Sequence, residues 1–252
     1  MVSRNLLTPF KRKGPAAPLD ELGGSADGGL AILDGDSNLI HMTPSRVASS
    51  LRYFLARVQL HGTQGLPARL ALTSALAGEG VTYVARSLAA VVAYDTQASI
   101  ALVDLNWRRP PRADEDGEQP LGLADAVEDG VPVDQVIVDT SNPKLSLVPA
   151  GVIPVARRPA LAGTTALATV LDELESRFDH LLLDLPPVLA SSEAMNLAQL
   201  ADAYVLVVQQ GATADAQVEA ALEEMRGAEA LGVILNRYHS DIPRRLRKLV
   251  GT

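Results

Sequence analysis

The chain reads as an α/β protein, with a mostly parallel central sheet covered by helices on both faces, and two observations predict it. Short continuous apolar segments alternate along the chain with stretches of helical period. A strand apolar on both sides belongs in a sheet covered on both sides, which is how crossover helices bury parallel strands. The second observation is that polar and glycine-rich segments follow several of these strands directly. In open α/β sheets that is where ligands bind.

The elements follow in order. A helical pattern over 46–60 precedes an apolar strand at 69–73, and a helix is expected from Thr82 to Tyr94. The segment IALVD at 100–104 is a strand, and a short helix follows near 123–128. LSLVP at 145–149 and HLLLD at 180–184 are strands with a long helix over 164–177 between them. AYVLVVQ at 203–209 and GVILN at 232–236 complete the sheet, with a helix around 215–226. Each strand is a short β-branched or leucine-rich run.

Two segments fall outside this alternation. Residues 1–42 are rich in Gly, Ala, Pro and Asp with no sustained periodicity, and are expected to form a flexible arm ahead of a single domain at 43–252. RPPRADEDGEQP at 109–120 reads as an exposed loop.

Composition excludes several functions. No apolar stretch approaches the roughly 20 residues of a membrane-spanning helix, and the start lacks the apolar region and cleavage site of a secretory signal. A cytoplasmic protein is expected. The chain has no cysteine, hence no disulfide or thiolate chemistry, and its four histidines show no metal-ligand spacing. A net charge of −8 argues against nucleic acid as a partner. Basic clusters do occur at both ends: Lys11, Arg12 and Lys13, then Arg244, Arg245, Arg247 and Lys248 interleaved with Leu246, Leu249 and Val250. The second has the pattern of a peripheral membrane-touching helix, and equally that of a solvated basic helix end.

Chemistry concentrates after the strands. Ser74-Ala-Leu-Ala-Gly-Glu-Gly-Val-Thr82 joins a strand to a helix, as a phosphate-binding loop does. Gly78 and Gly80 let backbone amides approach phosphates, and Thr82 offers a hydroxyl to magnesium. Such a turn also forms without any ligand. The position that carries lysine in a phosphate loop is Val81. Losing one charge-assisted hydrogen bond of about 1.5–3 kcal/mol weakens nucleotide binding about ten- to a hundredfold. Transition-state stabilisation suffers at least as much. Asp104 and Asp184 end two strands, where carboxylates serve a magnesium site or cap a turn.

These segments together resemble the bacterial tyrosine kinases of capsule and exopolysaccharide synthesis, within the ParA- and MinD-like ATPases. The resemblance spans roughly residues 44–238. It rests on GEG at 78–80, DLNWRRP at 104–110, GLADAVEDG at 122–130, LVPAG at 147–151, FDHLLLDLPPVL at 178–189, LADAYVLVVQQGAT at 200–213 and LGVILNRY at 231–238. It implies a P-loop fold, ATP or ADP with magnesium, and a nucleotide site formed by Gly78, Glu79, Gly80, Val81, Thr82 and Asn236, the asparagine resembling an adenine contact. Asp104 and Asp184 would be residual catalytic and magnesium groups, with Thr82 on the metal. A polysaccharide chain-length protein of the inner membrane is the implied partner, which would bring the chain to the inner face of the membrane.

The departures are as informative. Asn106 stands where the family's DxDxR motif has its second aspartate. In RVASSLR at 46–52, Arg46 replaces the glutamate of the family's oligomerisation motif and Ser49 its middle arginine, leaving Arg52 as the remaining contact residue. Tyr238 stands alone where the family has a tyrosine cluster. The combined losses describe a non-catalytic or weakly nucleotide-binding regulator of polysaccharide polymerisation and export. The alternatives are an active kinase or ATPase using another lysine, of which Lys144 is the only one between Lys13 and Lys248, and a MinD-like membrane-associated positioning ATPase.

Overall fold

The computed structural model describes residues 19–20, 22–61, 65–108 and 121–237. The elements are β1 (Leu30–Leu33), β2 (Leu39–Thr43), α1 (Ser45–His61), β3 (Arg69–Ser74), α2 (Val81–Asp95), β4 (Ile100–Asp104), α3 (Leu123–Glu128), α4 (Val133–Val136) and β5 (Val138–Asp139). They continue with β6 (Leu145–Val148), α5 (Arg158–Ala162), α6 (Thr165–Glu175), β7 (His180–Asp184), α7 (Ala194–Ala198), β8 (Ala203–Gln209), α8 (Asp215–Glu224) and β9 (Glu229–Asn236).

Seven strands form the central sheet in the order β5-β6-β4-β7-β3-β8-β9, and all neighbours run parallel except the short β5 against β6. The central strands are buried on both faces, because their leucines and valines have an apolar layer on either side. One layer gathers Leu105, Trp107, Leu123, Leu171 and Leu174 around Leu181 and Leu183. The other is built on α2, whose alanines and valines are small enough to sink into it, with Leu70, Leu72, Leu182 and Val205 beneath.

That second layer corrects the expected arm of residues 1–42. Its last part folds: β1 and β2 pair antiparallel, and Leu30 and Ile32 are 2% exposed against α2. Asp34 closes the hairpin by accepting the amides of Asp36 (3.0 Å) and Asn38 (2.7 Å). His41 Nε2 lies 2.9 Å from Ser87 Oγ, its ring edge-on to Tyr83 with centroids 5.0 Å apart. Tyr94 donates to Asp20 at 2.6 Å. Together these contacts fasten the segment along the whole length of α2. Residues 1–18 and 21 of the expected arm, the loop at 109–120, Tyr238 and both basic clusters lie outside the described residues.

Candidate nucleotide site

The topology explains how residues far apart in sequence meet. Because β7 lies between β4 and β3, the carboxyl ends of these three strands stand side by side. Asp104 and Asp184 are direct partners in register, and Leu72, near the start of the glycine-rich loop, is the partner of Asp184 on the other side. Adjacent strands are about 4.8 Å apart, so the two carboxylates share one small volume. Asp184 is 2% exposed. Paired carboxylates in a buried setting repel when both are ionised, and a hard divalent cation with oxygen preference suits them. Asp104, Asp184 and the Thr82 hydroxyl are the groups that would hold magnesium, which when bound neutralises phosphate charge. Among the described residues no group of three or more His, Cys, Asp or Glu is arranged for a metal.

The loop between β3 and α2 is held from within. Ser74 Oγ donates to Leu76 O at 2.8 Å, and Leu76 N donates to Glu79 Oε2 at 2.7 Å. Glu79 is buried, and its Oε1 accepts from Gln209 N at 3.0 Å and from the Thr213 hydroxyl. Gly80 caps α2 with φ of 94°, and Gly78 has φ of 88°; both are left-handed conformations that favour glycine. A Cβ on Gly80 would sit inside contact distance of Asn236 Nδ2.

Asn236 uses its amide on the protein itself. Nδ2 donates to Glu79 O at 2.8 Å and Oδ1 accepts from Arg237 N at 2.8 Å. Thus Glu79 and Asn236, both expected around nucleotide, tie the loop to the ends of β8 and β9. Sequence reasoning did not single out Gln209 or Thr213 as the other ends of these ties, although both lie in the segment VQQGAT at 208–213, where β8 ends.

Val81 opens α2 and is 7% exposed, packed in the same apolar layer as Val84, Val205 and Val207. An aliphatic anchor thus occupies the position where a phosphate loop projects its lysine. Lys144 does not replace it: its Nζ donates to Thr96 O at 2.5 Å, at the C-terminal end of α2. That is the far end of the helix whose start is the loop. Arg108 does lie on the site's side, where Nη1 donates to Ala190 O at 2.6 Å and to Ser191 Oγ at 3.3 Å. It ties the segment after β4 to the segment after β7. Asn106 N donates to Asp104 Oδ1 at 2.9 Å, orienting that carboxylate.

Arg52 lies apart from this site. It makes a two-pronged ion pair with Asp95 at 2.7 and 2.9 Å, joining α1 to the end of α2.

Comparison with known proteins gives the family and the fold. A family model described as cellulose biosynthesis protein BcsQ matches residues 68–246. The chain belongs to that family. Among curated proteins, the tyrosine-protein kinase CpsD of Streptococcus agalactiae is 28% identical over 177 residues, covering 69% of this chain and 76% of CpsD. The succinoglycan biosynthesis transport protein ExoP of Rhizobium meliloti is 29% identical over 179 residues, covering 67% of this chain and 22% of ExoP. The kinase domain of the Escherichia coli tyrosine kinase ETK shares the fold, with a TM-score of 0.68 at 22% identity over 79% of each chain. The BcsQ-family chain is thus a member of the bacterial tyrosine kinase group within the ParA- and MinD-like fold, related to proteins of capsule and exopolysaccharide synthesis. Among its described residues no helix is long and apolar enough to cross a membrane.

Proposed function

We propose that this chain is a non-catalytic or weakly nucleotide-binding member of its family, which regulates capsule or exopolysaccharide polymerisation and export by docking to a membrane protein. One observation carries the reading: the lysine position of the phosphate loop holds a buried valine, and Lys144 is engaged at the opposite end of α2. The glycine-rich loop remains, so backbone amides and the start of α2 still favour an anion. What is missing is the mobile cation that follows negative charge as a phosphoryl group moves.

The partner is inferred from the relatives. ExoP carries the name of a transport protein and is several times longer than the matched part. From that likeness the partner is a protein of the polysaccharide chain-length type at the inner face of the membrane.

Turnover of radiolabelled ATP tests the absence of catalysis. The reading expects purified protein to release no more phosphate than Asp104→Asn/Asp184→Asn. Turnover that vanishes in that double variant would instead establish an active kinase or ATPase, a reading favoured by one feature, the paired carboxylates in register.

A further inference from the structure

One element carries charge of the opposite sign to the whole. The chain has a net charge of −8, yet α1, SRVASSLRYFLARVQLH, holds Arg46, Arg52 and Arg57 and no acidic residue. Its inner face is used by the domain. Ala48, Leu51 and Val58 are buried in the layer built on α2, with Val47, Phe54 and Leu55 packed against that layer. Arg52 is held by Asp95 at the end of α2.

The outer face keeps a regular spacing. Arg46, Ser49, Tyr53, Ala56, Arg57 and Leu60 are all exposed, at i, i+3, i+7, i+10, i+11 and i+14. Tyr53 is 66% exposed and Leu60 78%, high values for large apolar side chains. Residues at this spacing share one stripe of a helix, here about 21 Å long. Large and small side chains alternate along it, with hollows at Ser49 and Ala56 between Arg46, Tyr53 and Leu60. That is the relief into which the side chains of a second helix interlock.

Charge and shape select the occupant. A helix lying on a bilayer buries its apolar face in lipid, and the apolar face of α1 already lies on the domain. Two copies meeting α1 to α1 would oppose arginine to arginine, and chains of net charge −8 repel one another at longer range. A separate protein that supplies carboxylates meets neither obstacle.

We infer that the outer face of α1 is the docking surface for an acidic amphipathic helix of another protein. Its carboxylates meet Arg46 and Arg57, and its apolar side chains pack around Tyr53 and Leu60 into the hollows at Ser49 and Ala56. Tyrosine and arginine side by side are the residue types that anchor protein interfaces. The inference rests on the docking reading above and names the surface and the partner chemistry that serve it.

Photo-crosslinking of the full-length chain in its native cells provides the test. The crosslinker p-benzoylphenylalanine replaces Tyr53 and, separately, Val155 or Leu222, which are exposed elsewhere on the surface. The inference expects a protein adduct from position 53 that mass spectrometry maps to an acidic segment of a membrane protein. Its yield should fall about tenfold or more in Arg46→Glu/Arg57→Glu, where like charges meet, and persist in Arg46→Lys/Arg57→Lys. Arg46→Ala/Arg57→Ala, which suits a helix, guards against a misfolded glutamate variant and should lower the yield too. A yield indifferent to these changes, or an adduct with lipid or a second copy of the chain, would overturn the inference. Adducts with a membrane protein from position 155 or 222 but not 53 would refute the α1 surface and leave the docking reading standing. No protein adduct from any of the three positions would contradict both.

Discussion

Glu79 shows how one side chain serves the loop around it. Its carboxylate is buried and takes up the amides of Leu76 and Gln209 and the hydroxyl of Thr213, so three donors depend on it. Glu79→Gln replaces an acceptor by an NH2 group that faces a donor. The expected loss is about 2 kcal/mol, read as a lower unfolding midpoint in urea with an unchanged slope. Gly80→Ala is expected to cost a similar amount, because the left-handed φ and the crowding by Asn236 both disfavour a Cβ. At Asp104 and Asp184 the expected effect is on ligand rather than fold: Asp104→Asn should abolish any magnesium dependence of nucleotide binding. Calorimetry with and without the ion reads this. The identities of these residues were legible in sequence as a glycine-rich loop and two strand-end aspartates. Glu79 and Asn236 were legible only as neighbours of nucleotide. Their tie to each other depends on β9 arriving beside β3's loop by way of β8, an adjacency that strand order creates and local spacing does not contain.

At the scale of elements, the alternation of apolar runs and helical patterns named most strands and helices within two or three residues, because each central strand is buried on both faces and so reads as a continuous run. The hairpin β1–β2 was not legible as structure. Its strands are four and five residues long, and the surrounding glycines and aspartates dominate the composition. The run DGDSN between them is nevertheless a turn signal. Ile32→Ala should cost about 2–4 kcal/mol by opening a cavity on α2, whereas Leu39→Ala, at a site 55% exposed, should change stability by less than about 0.5 kcal/mol. Thermal or urea unfolding of the two variants checks this. His41 adds a pH signature. Burial, assisted by the positive charge of Arg86, pushes its pKa down to about 4. The unfolded chain binds the proton near pH 6.5 and the folded one does not until about 4. Stability is therefore full above the higher value and falls as pH drops through this window, by up to about 3 kcal/mol. His41→Gln should flatten that slope between pH 6.5 and 4.

For the molecule as a whole, sheet topology decides which charges reach the site. Lys144 immediately precedes β6 and serves the far end of α2, while Arg52 is bound to Asp95 on the surface between α1 and α2. The sequence offered Lys144 as a substitute cation because no spacing rule says at which end of a sheet a residue emerges. Register does. The position of Val81 was legible directly, since it follows Gly80 in the loop, but its burial among Val84, Val205 and Val207 required the packed structure. The most direct measurement on the central claim is calorimetric titration of Mg-ATP and Mg-ADP into nucleotide-free wild type and Val81→Lys. The account predicts absent or weak binding to wild type and an affinity about ten- to a hundredfold higher in Val81→Lys, the worth of one charge-assisted contact. Tight binding to wild type that Val81→Lys does not improve would contradict it.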